Sequence, residues 1–363
     1  MDIATYLREQ KQRLADTSQI VRDYSVFDFN YVPDRPLMRE ESKRIIDAML
    51  RFEASGIPSN LAIIGSRGSG KTLTLRYLQH SLKEQTGLQV LYANCRAHNT
   101  SFKILAHLTG VRARGASLTE LYDRFCDMNR TKTVVVLDEV DLMSPKDRRR
   151  EILYLLSRSS SPYMVVLLSN NPQVIQDLDA PTTSSLQPEL IHFRNYDAKQ
   201  LGQILDDRAE RGLHEWDPGQ VAKIAAMTAR RTNSDARVAI KTLYYLVTES
   251  GRDVESHFNK AQQEIVVDMI ANVSDASLMI LWAASNCKVP HAKTVYKLYS
   301  QYSQARHDKP FSYVYFYSTL SYLQSIGLVA LVSVKIGRTY TNRILLTFDP
   351  EILTPILKLR FER

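Results

Sequence analysis

The chain of 363 residues is 44% apolar and 24% charged, the balance of an ordinary globular protein with room for two or three domains. A formal charge of +8 favours a nucleic-acid partner without requiring one. Three well-separated cysteines (Cys95, Cys126, Cys287), with no CxxC pair or His/Cys cluster, argue against structural zinc and for a reducing, intracellular setting.

The opening MDIATYLREQKQR is too polar for a signal peptide, and no apolar run nears the ~20 residues of a membrane span. A cytoplasmic protein with no membrane partner is expected. Residues 1–25 read as a polar helix with an irregular continuation. In FDFNYVPDRPLMREE, Pro33 and Pro36 break regular structure before a helix from about Arg39 to Phe52. The turn at Val32 and Pro33 could close over a base or pack as an N-terminal arm.

The stretch NLAIIGSRGSGKT, Asn60 to Thr72, has the order strand, glycine loop, helix. This is the phosphate-binding P-loop in the context that gives the pattern a mechanism. Its expected nucleotide contacts are Gly65, Ser66, Arg67, Gly68, Ser69, Gly70, Lys71, Thr72 and Leu73. Backbone N–H groups would surround the phosphates, Lys71 would add a point charge, and Thr72 would ligate Mg²⁺. A helix starting near Lys71 would contribute the positive end of its dipole. A chance glycine turn is the plain alternative, and the second motif below weighs against it.

LQVLYANC (Leu88 to Cys95) reads as a buried strand. The segment from Arg96 to Gly115 carries Lys103, Arg112, Arg114 and two histidines with no acidic residue, either a solvated face or a nucleic-acid contact. A helix from Leu118 to about Asn129 follows. In TVVVLDEVD, Val134 to Leu137 form a strand buried on both faces, and Asp138 and Glu139 emerge at its carboxyl end. This matches the Walker B pattern. Asp138 would hold Mg²⁺, through water, and Glu139 would act as general base. The basic run KDRRR (Lys146 to Arg150) reads as a solvated helix face.

In YMVVLLSNNP, either Asn170 or Asn171 would sit beside Asp138 on the neighbouring strand tip and orient the lytic water, or serve as a turn former. ELIHF reads as one more short strand. Helical patterns then run from Ala198 to Arg211, Pro218 to Arg230 and Ser234 to Thr248. Ser234 is the expected N-cap of the third, placing Arg237 in its first turn, where it could reach a γ-phosphate.

From about Ile265 the pattern is helix, helix, helix, hairpin, a winged-helix arrangement with eleven Lys/Arg against six Asp/Glu. In the third helix Phe316, Leu320 and Leu323 share a core stripe. Tyr315, Thr319 and Tyr322 project elsewhere, toward a DNA groove or into packing. Lys335, Arg338 and Arg343 cluster around the hairpin tip and read as phosphate or minor-groove contacts.

YVPDRPLMREE, GSRGSGKT, VVVLDEVD, LLSNN, SSLQPELIHFRNYDAKQLGQILDDRAE, SDARVAIKTLY and the winged-helix tail together cover nearly the whole chain. In these the sequence resembles the archaeal replication initiators of the AAA+ class, related to the origin recognition complex and the cell-division-control helicase loader. The resemblance implies an α/β parallel-sheet AAA+ P-loop domain (1–195, with the N-terminal arm), an α-helical lid (196–262) and a C-terminal winged-helix domain (263–363). It further implies an ATP/ADP switch that binds double-stranded origin DNA, associates with the nucleoid, and helps load the minichromosome-maintenance helicase beside initiator paralogues. By the same resemblance Asn170 is sensor 1, Arg237 is sensor 2, Val32-Pro33 borders the adenine pocket, and the Lys103–Arg114 stretch is the DNA-lying insertion.

One departure stands out. The family usually offers a neighbour's nucleotide an arginine finger from the segment before SSL. Here that segment reads QDLDAPTTSSL, and no Lys or Arg lies between Asn170 and Phe193. A finger is worth ~10³–10⁵ in kcat, so weak ATP hydrolysis is expected. Arg194 is a possible substitute. A nucleotide-dependent transcription regulator and an AAA+ subunit acting by protein contact remain as other readings.

Overall fold

The structure, a computed structural model, describes residues 2–7, 11, 19–111, 115–144, 147, 150–249, 253–336 and 339–361. Arg112, Arg114 and Arg338 lie outside these residues, as do three members of the KDRRR run. The chain divides into two compact units, 32–194 and 1–31 with 195–363.

The first unit runs α1 (Glu40–Ser55), β1 (Leu61–Gly65), α2 (Lys71–Thr86), β2 (Gln89–Asn94), α3 (Ser101–Thr109), α4 (Leu118–Met128), β3 (Thr133–Asp138), α5 (Glu151–Ser157), β4 (Tyr163–Ser169), α6 (Ala180–Leu186) and β5 (Glu189–Phe193). The strands form one parallel sheet in the order β2-β3-β4-β1-β5. Every residue of β3 and β4 is buried, as central strands covered on both faces require. Period-two alternation divides them. Val134, Val136, Met164 and Val166 join Ile45, Phe52, Leu75 and Leu78 on one side, while Val135, Leu137, Val165 and Leu167 join Ile104, Phe125 and Ile152 on the other.

The sheet topology brings three strand ends together. β4 lies between β1 and β3, so the loop after β1, the acids after β3 and the amides after β4 meet at one carboxyl edge. This is where open α/β sheets hold ligands.

The second unit contains α7 (Ala198–Gly212), α8 (Pro218–Arg231), α9 (Ala236–Thr248), α10 (Val254–Ala271), α11 (Asp275–Ser285), α12 (Ala292–Ala305), α13 (Tyr313–Ser325), the antiparallel hairpin β6 (Val329–Ile336) and β7 (Thr339–Leu346), and α14 (Leu353–Phe361). Three features of this unit bear on the bounds and caps expected from the sequence. The N-terminal arm belongs with this unit, where the Arg22 guanidinium donates to the carbonyl oxygens of Glu210 and Arg211. Buried Arg208 likewise donates to Val26 and Asp28, and burial pushes its pKa down to about 10.

The expected boundary at 262/263 falls inside α10. The apolar face of that helix joins Val238 and Tyr245 to Leu278, Phe316 and Leu320 in one continuous core. Finally, α9 is capped by Asp235, whose carboxylate accepts from the Arg237 N–H, while Ser234 sits in the left-handed region at φ 52°. The helix α14 had no counterpart in the sequence reading. Arg360 pins it by donating to the carbonyls of Ala271 (2.8 Å) and Val273 (2.7 Å).

Candidate nucleotide and DNA sites

The P-loop is built by two local constraints. At Gly65 a Cβ would lie 2.5 Å from the Phe193 carbonyl oxygen, so β1 and β5 approach closely only with glycine there. Gly70 caps α2 at φ 93°, a conformation that side chains disfavour, and Lys71 begins the helix. Ser69 Oγ donates to the Ser66 carbonyl (2.8 Å) and tightens the turn.

Lys71 is 7% exposed, and its Nζ donates to the carbonyls of Gly65 (2.7 Å) and Ser66 (2.9 Å) and to Asn170 Oδ1 (3.0 Å). Of the two amides left open by the sequence, Asn170 therefore faces the loop. Asn171 accepts from the Gln173 N–H and shapes the turn.

Thr72 Oγ1 donates to Asp138 Oδ2 at 2.7 Å, joining the P-loop helix to the end of β3. Asp138 is only 3% exposed. Glu139 adopts φ 54°, unusual for a non-glycine residue, and its carboxylate accepts from Asn94 Nδ2 at 3.2 Å. Thus the structure brings together Gly65, Ser66, Ser69, Gly70, Lys71, Thr72, Asp138, Glu139 and Asn170. Val32 and Pro33 open the unit in irregular, half-buried chain.

Three neighbours escaped the sequence reading. The Tyr92 hydroxyl donates to Asp138 Oδ2 (2.7 Å), and burial first, then the carboxylate, push its pKa well up. Arg39 donates to the Ser69 carbonyl (3.0 Å) and lies over the Phe193 ring, bracing the loop from behind. Asp141 accepts from Ser169 Oγ (2.7 Å) and the Asn170 N–H, fixing the end of β4. Polar residues breaking apolar or motif runs, Tyr92 in QVLYAN and Asp141 in LDEVD, were the available signals.

The arrangement fits a nucleotide with its metal. Inward-turned glycine backbone and a lysine suit phosphate oxygens. A threonine hydroxyl and a carboxylate within hydrogen-bond reach are the hard oxygen donors that Mg²⁺ prefers.

In the second unit Arg237 pairs with Asp235. The winged-helix part meets the expectations unevenly. Phe316, Leu320 and Leu323 are fully buried. Tyr315 is 54% exposed, but Thr319 is only 9% exposed and its hydroxyl donates to the Tyr315 carbonyl (2.9 Å), which withdraws it from a groove-facing role. Tyr322 packs half-buried against the core, as the packing alternative foresees.

Lys335 and Arg343 are both exposed. Their cross-strand partners are Tyr340 and Val332, and the pleat therefore puts them on opposite faces of the hairpin rather than in one cluster. In the first unit Lys103 is exposed on α3, with Nζ donating to Asn99 Oδ1 (3.1 Å). Among the described residues no helix is long and apolar enough to cross a membrane.

Residues 58–174 match the AAA domain family. The chain is 27% identical over 372 residues to an ORC1-type DNA replication protein of Pyrococcus horikoshii, covering 92% of this chain and 88% of the relative. It is 31% identical over 278 residues to ORC1-type DNA replication protein 1 of Sulfurisphaera tokodaii, covering 70% of each. Among solved structures it is similar to the Aeropyrum pernix ORC1 protein in complex with DNA, at 25% identity and a TM-score of 0.67, covering 94% of this chain and 98% of that one.

Proposed function

The chain belongs to the ORC1-type DNA replication proteins, and on that premise we propose an initiator whose grip on origin DNA is set by the ATP or ADP at its P-loop. The observation that carries this is the convergence of Lys71, Thr72, Asp138 and Asn170 at the carboxyl edge of the sheet. It supports a triphosphate site on an AAA+ domain. The DNA complex of the Aeropyrum pernix relative supports duplex DNA as partner, and the exposed Lys335 and Arg343 supply cations for its phosphates.

In this reading the P-loop N–H groups and Lys71 hold the phosphates, and Leu73 follows them in the first turn of α2. Thr72 and Asp138 are the chain's ligands for Mg²⁺, which neutralises phosphate charge when bound. Asn170 orients the attacking water and Glu139 takes its proton. Arg237 reads the γ-phosphate after releasing Asp235, and Val32 with Pro33 borders the base. Hydrolysis is slow, because the segment between Asn170 and Phe193 carries no Lys or Arg to offer a neighbour. Arg194, exposed at the end of β5, is the nearest substitute in sequence. Helicase loading, alongside initiator paralogues, completes the role.

The test is titration of wild type and Lys71→Ala with a fluorescent ATP analogue. Removing a charged hydrogen-bond donor of ~1.5–3 kcal/mol should weaken binding about 10- to 100-fold. Unchanged affinity in the variant would overturn the triphosphate site.

A further inference from the structure

We propose that Tyr92 is a positioning residue for the metal-facing carboxylate of Asp138, an inference that rests on the triphosphate reading above. Nothing in the P-loop or Walker B patterns calls for a tyrosine on the neighbouring strand. The geometry does. Asn94 pairs with Asp138 in the β2–β3 register, so Tyr92, two residues earlier, lies on the same face and on the diagonal. That diagonal is within reach of an aromatic side chain, and the hydroxyl meets Asp138 Oδ2 at 2.7 Å.

The helix α2 closes the frame. Thr72 and Arg76 stand one turn apart on one helical face. Thr72 Oγ1 donates to the same Oδ2 at 2.7 Å, and the Arg76 guanidinium covers the Tyr92 ring at 5.6 Å. Thr72 from the helix and Tyr92 from the neighbouring strand thus hold one carboxylate oxygen, and Arg76 covers the ring that brings the second donor.

Counting acceptor positions shows what this does. An ionised carboxylate offers about four lone-pair positions. Oδ2 receives Thr72 and Tyr92, and Oδ1 receives the Glu139 N–H at 2.8 Å. Among the described residues these three bonds fix the plane of the group and leave one position, on Oδ1. Tyr92 is the donor that belongs to neither nucleotide motif. Without it the carboxylate keeps its charge but loses one of the three bonds that fix its plane, and a position on Oδ2 passes to solvent. Partners that orient a metal ligand in this way are worth ~10- to 100-fold in metal affinity.

Tyr92→Phe keeps the ring and the Arg76 contact and removes only the hydroxyl. The experiment follows a fluorescent ATP analogue bound to the full chain, first in EDTA and then along a Mg²⁺ titration, for wild type, Tyr92→Phe and Lys71→Ala. Tyr92→Phe should bind as wild type does in EDTA, and should need about tenfold more Mg²⁺ to reach half of the metal-dependent gain. A wild-type Mg²⁺ midpoint in Tyr92→Phe would reduce the tyrosine to packing, and weakened binding already in EDTA would show that it acts through the fold. Either result overturns the proposal while Lys71→Ala still loses nucleotide. If Lys71→Ala binds as wild type, the underlying site reading fails instead.

Discussion

Lys71 folds back on its own loop, its three N–H donors met by two carbonyls and the Asn170 amide. Phosphate oxygens would replace these acceptors, so the loop is shaped for an anion before one arrives. Glu139 stands differently, outside the Thr72–Asp138 pair and tethered by Asn94. Glu139→Gln keeps the size and the contact to Asn94 but cannot take a proton. It should retain nucleotide at wild-type affinity and slow hydrolysis by about 10²-fold or more, read as phosphate release; hydrolysis at the wild-type rate would remove Glu139 from the chemistry. At this scale the sequence displays whatever the backbone demands at fixed spacing. The glycines, lysine and threonine are local, so their roles are legible. Tyr92, Arg39 and Asp141 act through partners 46, 30 and 28 residues away, and no local spacing announces that.

At the scale of elements, apolar patterning carried most of the information. The buried runs Val134–Leu137 and Met164–Leu168 gave central strands, and the 3.6-residue stripe of Phe316, Leu320 and Leu323 gave the buried face of α13. Tyrosines are ambiguous because one ring serves packing and recognition equally. Tyr313 and Tyr317 went to an aromatic cluster with Tyr296 and Phe316, leaving Tyr315 exposed. The pleat of the hairpin separates Lys335 from Arg343. Presented on both faces, these cations suit a ribbon laid into a groove between two phosphate rows better than a flat patch. Replacing Lys335, Arg338 and Arg343 together by Ala should flatten the salt dependence of DNA binding by about 0.9 for each phosphate that the variant no longer neutralises. A slope equal to wild type would take the hairpin out of the interface.

Across the whole molecule, the chain order does not follow the units. The arm at 1–31 precedes the sheet domain yet packs with the helical unit through Arg22 and Arg208, so the segment up to Tyr31 and the one from Asn195 onward frame the nucleotide domain in sequence. This was illegible beforehand because both arginines satisfy backbone carbonyls some 180 residues away, and a carbonyl has no sequence signature. The crossings between the units, at Tyr31–Val32 and Arg194–Asn195, adjoin Val32, proposed to border the base, and Phe193, the β5 residue paired with Gly65 of the P-loop. On the proposed reading, a nucleotide at the P-loop would bias DNA binding through these crossings of the chain. The most direct measurement is the affinity of the full chain for an origin duplex at fixed salt, taken without nucleotide, with ADP and with a non-hydrolysable ATP analogue. The triphosphate and diphosphate forms should differ by about 5- to 150-fold, the ordinary span of coupling between two sites; one affinity shared by all three states would contradict a nucleotide-set grip on DNA.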